Sequence, residues 1–205
     1  SADSCYELLT YAHRMNIRTL DTAFAYGSAH KTIISFSKNN PDTQFSLHSK
    51  ISTNDNIKND IEDFYKKSGR KKIDILYFHS PNLATPENIL ILKQLQERNL
   101  IDKIGISLYT PDEALPFIQN GDIGVFQFPF NPLDRRTRDK DFLDDCKFNG
   151  KELIVRSIFM QGLLITPIAK LPTHLIEFAY YLEKLNRVCS EYKIPIQQLL
   201  FRFVS

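Results

Sequence analysis

The sequence predicts an α/β fold, a buried parallel sheet with helical crossovers, and three observations predict it. Short apolar or β-branched runs recur along the chain, helical stretches fall between them, and each run stops at a polar or reactive side chain. A parallel pair of strands needs a long crossover to return the chain to its starting edge, and a helix making that crossover covers one face of the sheet. Periodicity leaves two architectures open, a doubly wound sheet and a closed (β/α)8 barrel.

The predicted strands are Ile17–Leu20, Phe45–His48, Ile73–Phe78, Lys103–Ile106, Ile123–Phe126 and Leu153–Val155, each short and rich in residues that fill a pleated, buried surface. Between them, Ile57, Ile61 and Phe64 keep the i, i+4, i+7 spacing of one helix face. Thr85-Pro86-Glu87 reads as an N-cap, a proline in the first helical position and a first-turn acid. From Pro172 to Lys193, Leu175, Phe178, Ala179, Leu182, Leu185 and Val188 recur at helical spacing, while Glu183, Lys184 and Arg187 fall on the other side. That stretch is expected to form one long surface helix.

With 205 residues, 42% of them hydrophobic, the chain can bury one core, and a single domain spanning residues 1–205 is expected. The formal net charge is only +2, and basic runs such as Arg70-Lys71-Lys72 are short, so no dedicated nucleic-acid surface is expected. No stretch approaches the roughly 18 apolar residues of a membrane helix, and the N-terminus lacks the basic-then-apolar order of a signal peptide. The chain therefore reads as a cytoplasmic protein. Cys5, Cys146 and Cys189 form no C-x-x-C pair, which argues against a disulfide framework or a zinc site.

The residues that end the runs are Asp21, Lys50, His79, Ser107, Gln127 and the pair Arg156-Ser157. They follow one another at roughly 20 to 30 residues, about one β-α unit per step. In a parallel sheet the C-terminal strand ends share one face, so these side chains converge although they are remote in sequence. A lone charged residue there is ordinarily just the first solvated loop position; an Asp, a Lys and a His on three successive strands point instead to a site. Tyr26 stands five residues beyond Asp21, within reach of the same mouth. An ammonium held by a carboxylate stabilises a nearby phenolate, so Lys50 is expected to lower the Tyr26 pKa and let the phenol act as an acid near neutral pH.

The segment from Leu20 to Ser28, LDTAFAYGS, resembles the D-T-A-x-x-Y-G signature of the aldo-keto reductase family. Further matches follow in order: Ser49-Lys50, the stretch from Tyr77 to Pro81, Ile104-Gly105-Ile106-Ser107, and the stretch from Gln127 to Asn131. This resemblance implies the (β/α)8 TIM barrel and an NADP-dependent reductase acting on a small-molecule carbonyl. It makes Tyr26 the general acid, Lys50 the residue that tunes it, Asp21 the partner of Lys50, and His79 the group that orients the carbonyl. His79 should then lie within about 8 Å of the Tyr26 hydroxyl, so that both can hydrogen-bond one oxygen. Ser107 and Gln127 would bind the nicotinamide carboxamide, with Arg156 and Ser157 completing the cofactor contacts.

Two departures from the family pattern stand out. Ser107 is followed by Leu108 where the family often has Asn, and Arg156-Ser157 stands where a tyrosine often stacks on the nicotinamide. The run from Arg156 to Leu164, RSIFMQGLL, resembles a bacterial subgroup linked to surface-sugar biosynthesis. By resemblance, the helix Cys5–Met15 is the first of the barrel and six strands are accounted for, so the barrel is expected to be incomplete at both ends and NADP to bind weakly. Two other functions fit the residue types. One is a non-catalytic relative that binds nucleotide or a protein partner; the other is an isomerase or lyase barrel using Lys50 as a Schiff-base nucleophile.

Overall fold

In the computed structural model, which describes residues 2–52 and 56–205, strands and helices alternate as the sequence leads one to expect. Helix α1 (Ala2–Arg14) precedes β1 (Thr19–Asp21), α2 (Gly27–Asn39) and β2 (Ser46–Ile51); α3 (Ile57–Ser68), β3 (Ile73–Phe78), α4 (Pro86–Glu97) and β4 (Ile101–Ser107) follow. Strand β5 (Val125–Pro129), α5 (Lys140–Phe148) and β6 (Glu152–Arg156) complete the sheet, and α6 (Ala179–Tyr192) and α7 (Ile196–Val204) close the chain. All five strand pairings are parallel, and spatial order equals sequence order from β1 to β6. Thr85 caps α4, accepting from the Asn88 amide at 3.3 Å with Pro86 in the first turn. Asp139 caps α5 through the Phe142 amide at 2.9 Å.

Along each strand the side-chain period of two separates two faces. Leu47, Ile51, Leu76, Phe78, Ile104, Ile106, Phe126 and Phe128 point to the helices and form the main core with Ile61, Phe64, Leu92 and Leu95. Ile75, Tyr77 and Val125 point the other way, against Ile154. The Tyr77 ring sits over Gly105, where a Cβ would come within 2.5 Å of it, so glycine is required there by close approach rather than by backbone conformation.

The sheet is not flat. Gln127 on β5 donates from Nε2 to Asp21 Oδ2 on β1 at 2.6 Å, whereas four strand spacings of a flat sheet would separate those strands by about 19 Å. Only a sheet curled as in a barrel wall brings them together.

Three expectations change. The predicted strands Ile17–Leu20, Phe45–His48 and Ile123–Phe126 lie further along, as β1 (Thr19–Asp21), β2 (Ser46–Ile51) and β5 (Val125–Pro129). The β4 to β5 crossover is a 3₁₀ segment, Asp112–Phe117, instead of an α-helix, because Pro116 removes an amide donor and crowds the preceding turn; this explains the shorter spacing between Ser107 and Gln127. The long helix predicted from Pro172 begins as 3₁₀ turns over Thr173–Phe178 and becomes α only at Ala179. There Leu164, Leu182 and Leu200 make a separate small core between α6, α7 and the loop after β6.

Candidate active site

Asp21, Lys50, Ser107, Gln127 and Arg156 lie at or near the C-terminal ends of β1, β2, β4, β5 and β6. Their registers carry them onto the inner face: Lys50 pairs across β3 with Tyr77, and Ser107 pairs with Gln127. His79 follows the last residue of β3. Curling of the sheet thus assembles on one rim side chains that are remote in sequence.

At the centre Lys50, only 2% exposed, donates from Nζ to Asp21 Oδ1 and to the Thr22 carbonyl at 3.3 Å. Its ammonium also stands 5.5 Å from the Tyr77 ring centroid. Burial pulls the Lys50 pKa below its ordinary value, Asp21 pulls it back through charge and hydrogen bond, and Arg156 lowers it further. Asp21 in turn is fixed from the far side by Gln127.

Tyr26 stands at the N-terminal end of α2, 47% exposed, after a turn in which its amide donates to Ala23. Its ring lies 6.0 Å, centroid to centroid, from that of His79, at 76°, in keeping with the expected proximity of the two. The lowered Tyr26 pKa expected from the sequence is overturned. Burial raises it, the Asp21 carboxylate raises it further, and the opposing positive charge comes from Arg156 rather than Lys50. The physical reason is that the Lys50 ammonium is taken up in its bond to Asp21, while the Asp21 carboxylate itself acts on the phenol.

His79 Nδ1 lies 2.9 Å from the Ser52 hydroxyl. Burial lowers the His79 pKa, and the charges of Lys50 and Arg156 lower it further against the pull of Asp21. All but the pull of Asp21 favour the neutral ring. Ser52 was not singled out in the sequence, and its place one residue past β2, level with the His that follows β3, is the signal that would have found it.

Gln127 is 1% exposed, and its Oε1 is buried with no hydrogen-bond partner among the described residues. Ser107 is 2% exposed beside it. Arg156 stacks over Tyr109 with its guanidinium carbon 4.5 Å from the ring centroid, and donates to the Leu108 carbonyl at 3.3 Å; its Nε is buried with no partner among the described residues. Asn131, buried at the end of β5, ties the two neighbouring loops together by donating to the Ser157 carbonyl at 3.1 Å and accepting from the Leu133 and Asp134 amides. Beyond β6, Ser157, Met160, Gln161 and Gly162 all adopt positive φ, and this loop, with Arg156 and Tyr109, walls a cavity of about 560 Å³. Among the described residues, no cluster of His, Cys, Asp and Glu could hold a metal ion, and no helix is long and apolar enough to cross a membrane.

Residues 1–205 match the aldo/keto reductase family. The NADH-specific methylglyoxal reductase of Escherichia coli (strain K12) is 25% identical over 195 residues, covering 81% of this chain and 60% of that protein. This chain thus spans about 60% of the length of that curated relative. Among solved structures, the glycerol dehydrogenase of Gluconobacter oxydans superposes with a TM-score of 0.79 at 17% identity, covering 98% of this chain and 72% of that one. An aldo-keto reductase from Bacillus halodurans, in its holo form, gives 0.72 at 20% identity over 84% of this chain and 62% of that one. These likenesses establish the barrel fold, to which the six curled parallel strands contribute.

Proposed function

Since the chain belongs to the aldo/keto reductase family, we propose that it reduces the carbonyl of a small molecule, an aldehyde, ketone or sugar, with NADPH as hydride source and Tyr26 as proton donor. One observation carries this reading: Tyr26 and His79 converge, 6.0 Å between ring centroids, beside the buried Lys50 and its half-exposed partner Asp21. A phenol and a neutral imidazole so placed can both hydrogen-bond one carbonyl oxygen.

The residues at the rim fit a nicotinamide. Its carboxamide offers two N–H donors and one acceptor, and the buried, unpartnered Gln127 Oε1 beside the Ser107 hydroxyl supplies an acceptor and a donor. Arg156 and Ser157 stand at the entrance to the adjoining cavity and would contact the same cofactor. When bound, that cofactor supplies the hydride.

The remaining chemistry belongs to the chain. Tyr26, its pKa raised, keeps its proton through neutral pH and releases it only to an oxygen whose basicity climbs as the carbonyl is reduced. In the tautomer whose Nδ1 accepts from the Ser52 hydroxyl, His79 carries its proton on Nε2 and can donate to that oxygen. Lys50 is held by Asp21, and the positive charge that favours the phenolate left after proton transfer comes from Arg156.

The test is a panel of aldehydes, ketones and sugars incubated with the chain and NADPH, and in parallel with NADH because the curated relative is NADH-specific. Loss of reduced-cofactor absorbance with at least one substrate is the expected result. Cofactor binding without turnover across the panel would favour the non-catalytic, nucleotide-binding reading.

A further inference from the structure

At the other end of the sheet, where β1, β2 and β3 begin, lies a second cleft of about 720 Å³, a size typical of small-ligand sites. Its walls carry Arg18, Lys38, Arg70, Lys71 and Lys72 against one carboxylate, Asp74. The topology explains the gathering: Arg18 immediately precedes β1 and Lys72 immediately precedes β3, while Lys38 ends α2 and Arg70 follows α3. Parallel strands bring these remote positions to one rim just as they gather the active-site residues on the opposite one.

Ordinary structural roles absorb only part of this charge. Lys72 pairs with Asp102 at 2.7 Å, and Arg70 lies 3.9 Å from Asp74, whose Oδ2 is already engaged by the Leu47 amide. The C-terminal dipoles of α2 and α3 offset about half a charge each. Arg18, Lys38 and Lys71 form no ion pair among the described residues, so the cleft remains net positive. Arg70 adds an independent observation. Its side chain is only 8% exposed, it is anchored by a 2.6 Å hydrogen bond from Nη2 to the Phe45 carbonyl, and its Nε is buried with no partner among the described residues. A guanidinium held this way is a fixed, incompletely satisfied donor set, which costs free energy unless something else repays it. Burial lowers its pKa accordingly. The hydroxyls of Ser46 and Ser68 line the same cleft.

We propose that this cleft binds a small polyanion carrying two or more phosphoryl groups, at a site separate from the candidate active site. The guanidinium of Arg70 would hold one phosphoryl group at the floor, and Arg18, Lys38 and Lys71 would close on the others from the rim. Guanidinium suits such oxygens because its charge is permanent and its remaining N–H groups donate charge-assisted hydrogen bonds, and the flexible lysines adapt to ligands of different length.

The experiment is calorimetric titration of the full chain with inorganic tripolyphosphate at physiological salt, repeated with Lys38→Glu, Lys71→Glu and Arg156→Gln. The two lysines are exposed, so these charge reversals leave the fold intact. Saturable one-to-one binding is expected, weakened about tenfold or more by each lysine reversal, as loss of a charge-assisted contact implies, and unchanged by Arg156→Gln at the other rim. Absence of saturable binding, insensitivity to both lysine reversals, or loss of binding in Arg156→Gln alone would overturn the proposal. Tighter binding of a short single-stranded oligonucleotide, with an affinity that collapses as salt rises, would also overturn it in favour of a nucleic-acid surface.

Discussion

The two rims of the sheet are both rich in cationic side chains, yet they treat them in opposite ways. At the C-terminal rim the central charge, Lys50, is buried and tied to Asp21, which is tied in turn to Gln127. At the N-terminal rim most cations are spread over an open cleft, and their ion pairs, such as Lys72 with Asp102, are half-exposed. Burial makes a charge strong, directional and sensitive to its partners, whereas exposure leaves it screened and interchangeable. The first arrangement suits bond making and the second suits recognition of charge.

The largest expected effect lies at the buried rim. Tyr26→Phe should lose about a hundredfold to ten-thousandfold in reduction rate while keeping cofactor affinity, measured by steady-state kinetics and by quenching of cofactor fluorescence. Unchanged turnover would remove Tyr26 as the acid. In the wild type, because burial and Asp21 raise the Tyr26 pKa, proton donation should persist from neutral pH up to the ordinary tyrosine range. A rate that declines between about pH 7 and pH 9 would mean that the phenol is lowered instead.

Next comes stability. Asp21→Asn strips the buried Lys50 ammonium of its carboxylate and should cost about 3 kcal/mol near neutral pH by chemical denaturation. The pH dependence follows from the Lys50 shift. A lysine whose folded pKa lies below its unfolded value binds fewer protons when folded, so stability rises with pH between the lowered value and the ordinary one. Without Asp21 the folded Lys50 pKa falls further still, so the Asp21→Asn deficit should shrink as pH climbs towards the lowered wild-type value and level off above it. A deficit independent of pH would show that the carboxylate acts by packing or hydrogen bonding alone.

Gly105→Ala probes the wall beneath the same rim. The added methyl meets the Tyr77 ring at 2.5 Å, and the overpacking should cost about 1 to 3 kcal/mol, seen as a lowered Tm. Pairing it with Tyr77→Leu, which vacates the space, should recover part of the loss; no recovery would place the strain elsewhere. Smallest of all, Lys72→Ala at the open rim removes a half-exposed ion pair and should change stability by less than about 1 kcal/mol. A loss as large as that of Asp21→Asn would erase the distinction between the rims.

Much of the candidate site was legible in the sequence because its logic is periodic. Asp21, Lys50, Ser107, Gln127 and Arg156 each end an apolar run on the inward phase of a strand, and strand ends of a parallel sheet coincide in space. What periodicity could not convey is pairing at a distance. That Gln127 would use its amide N–H on Asp21, or that Arg156 would be the positive charge acting on Tyr26, depends on how far the sheet curls. Ser52 escaped notice because a serine after a strand looks like any loop serine until its distance to His79 is known. The apolar spacing over Thr173–Phe178 also satisfies a helical stripe, and hydrophobic spacing cannot separate three residues per turn from 3.6 over so short a stretch.

The hydrogen bond from Gln127 to Asp21 also has a kinetic meaning. Its partners are 106 residues apart, whereas Lys50 and Asp21 are separated by 29. Contacts of long sequence separation pay their loop-closure entropy late and slow the search for the native state. Here the closure depends on β2, β3 and β4 being aligned first, since those strands bridge β1 to β5. During refolding the Lys50–Asp21 pair can form early within one β-α-β unit, while the bond that orients Asp21 awaits the assembled wall. The rim should accordingly be the last part of the sheet to lock, and recovery of activity should trail recovery of secondary structure.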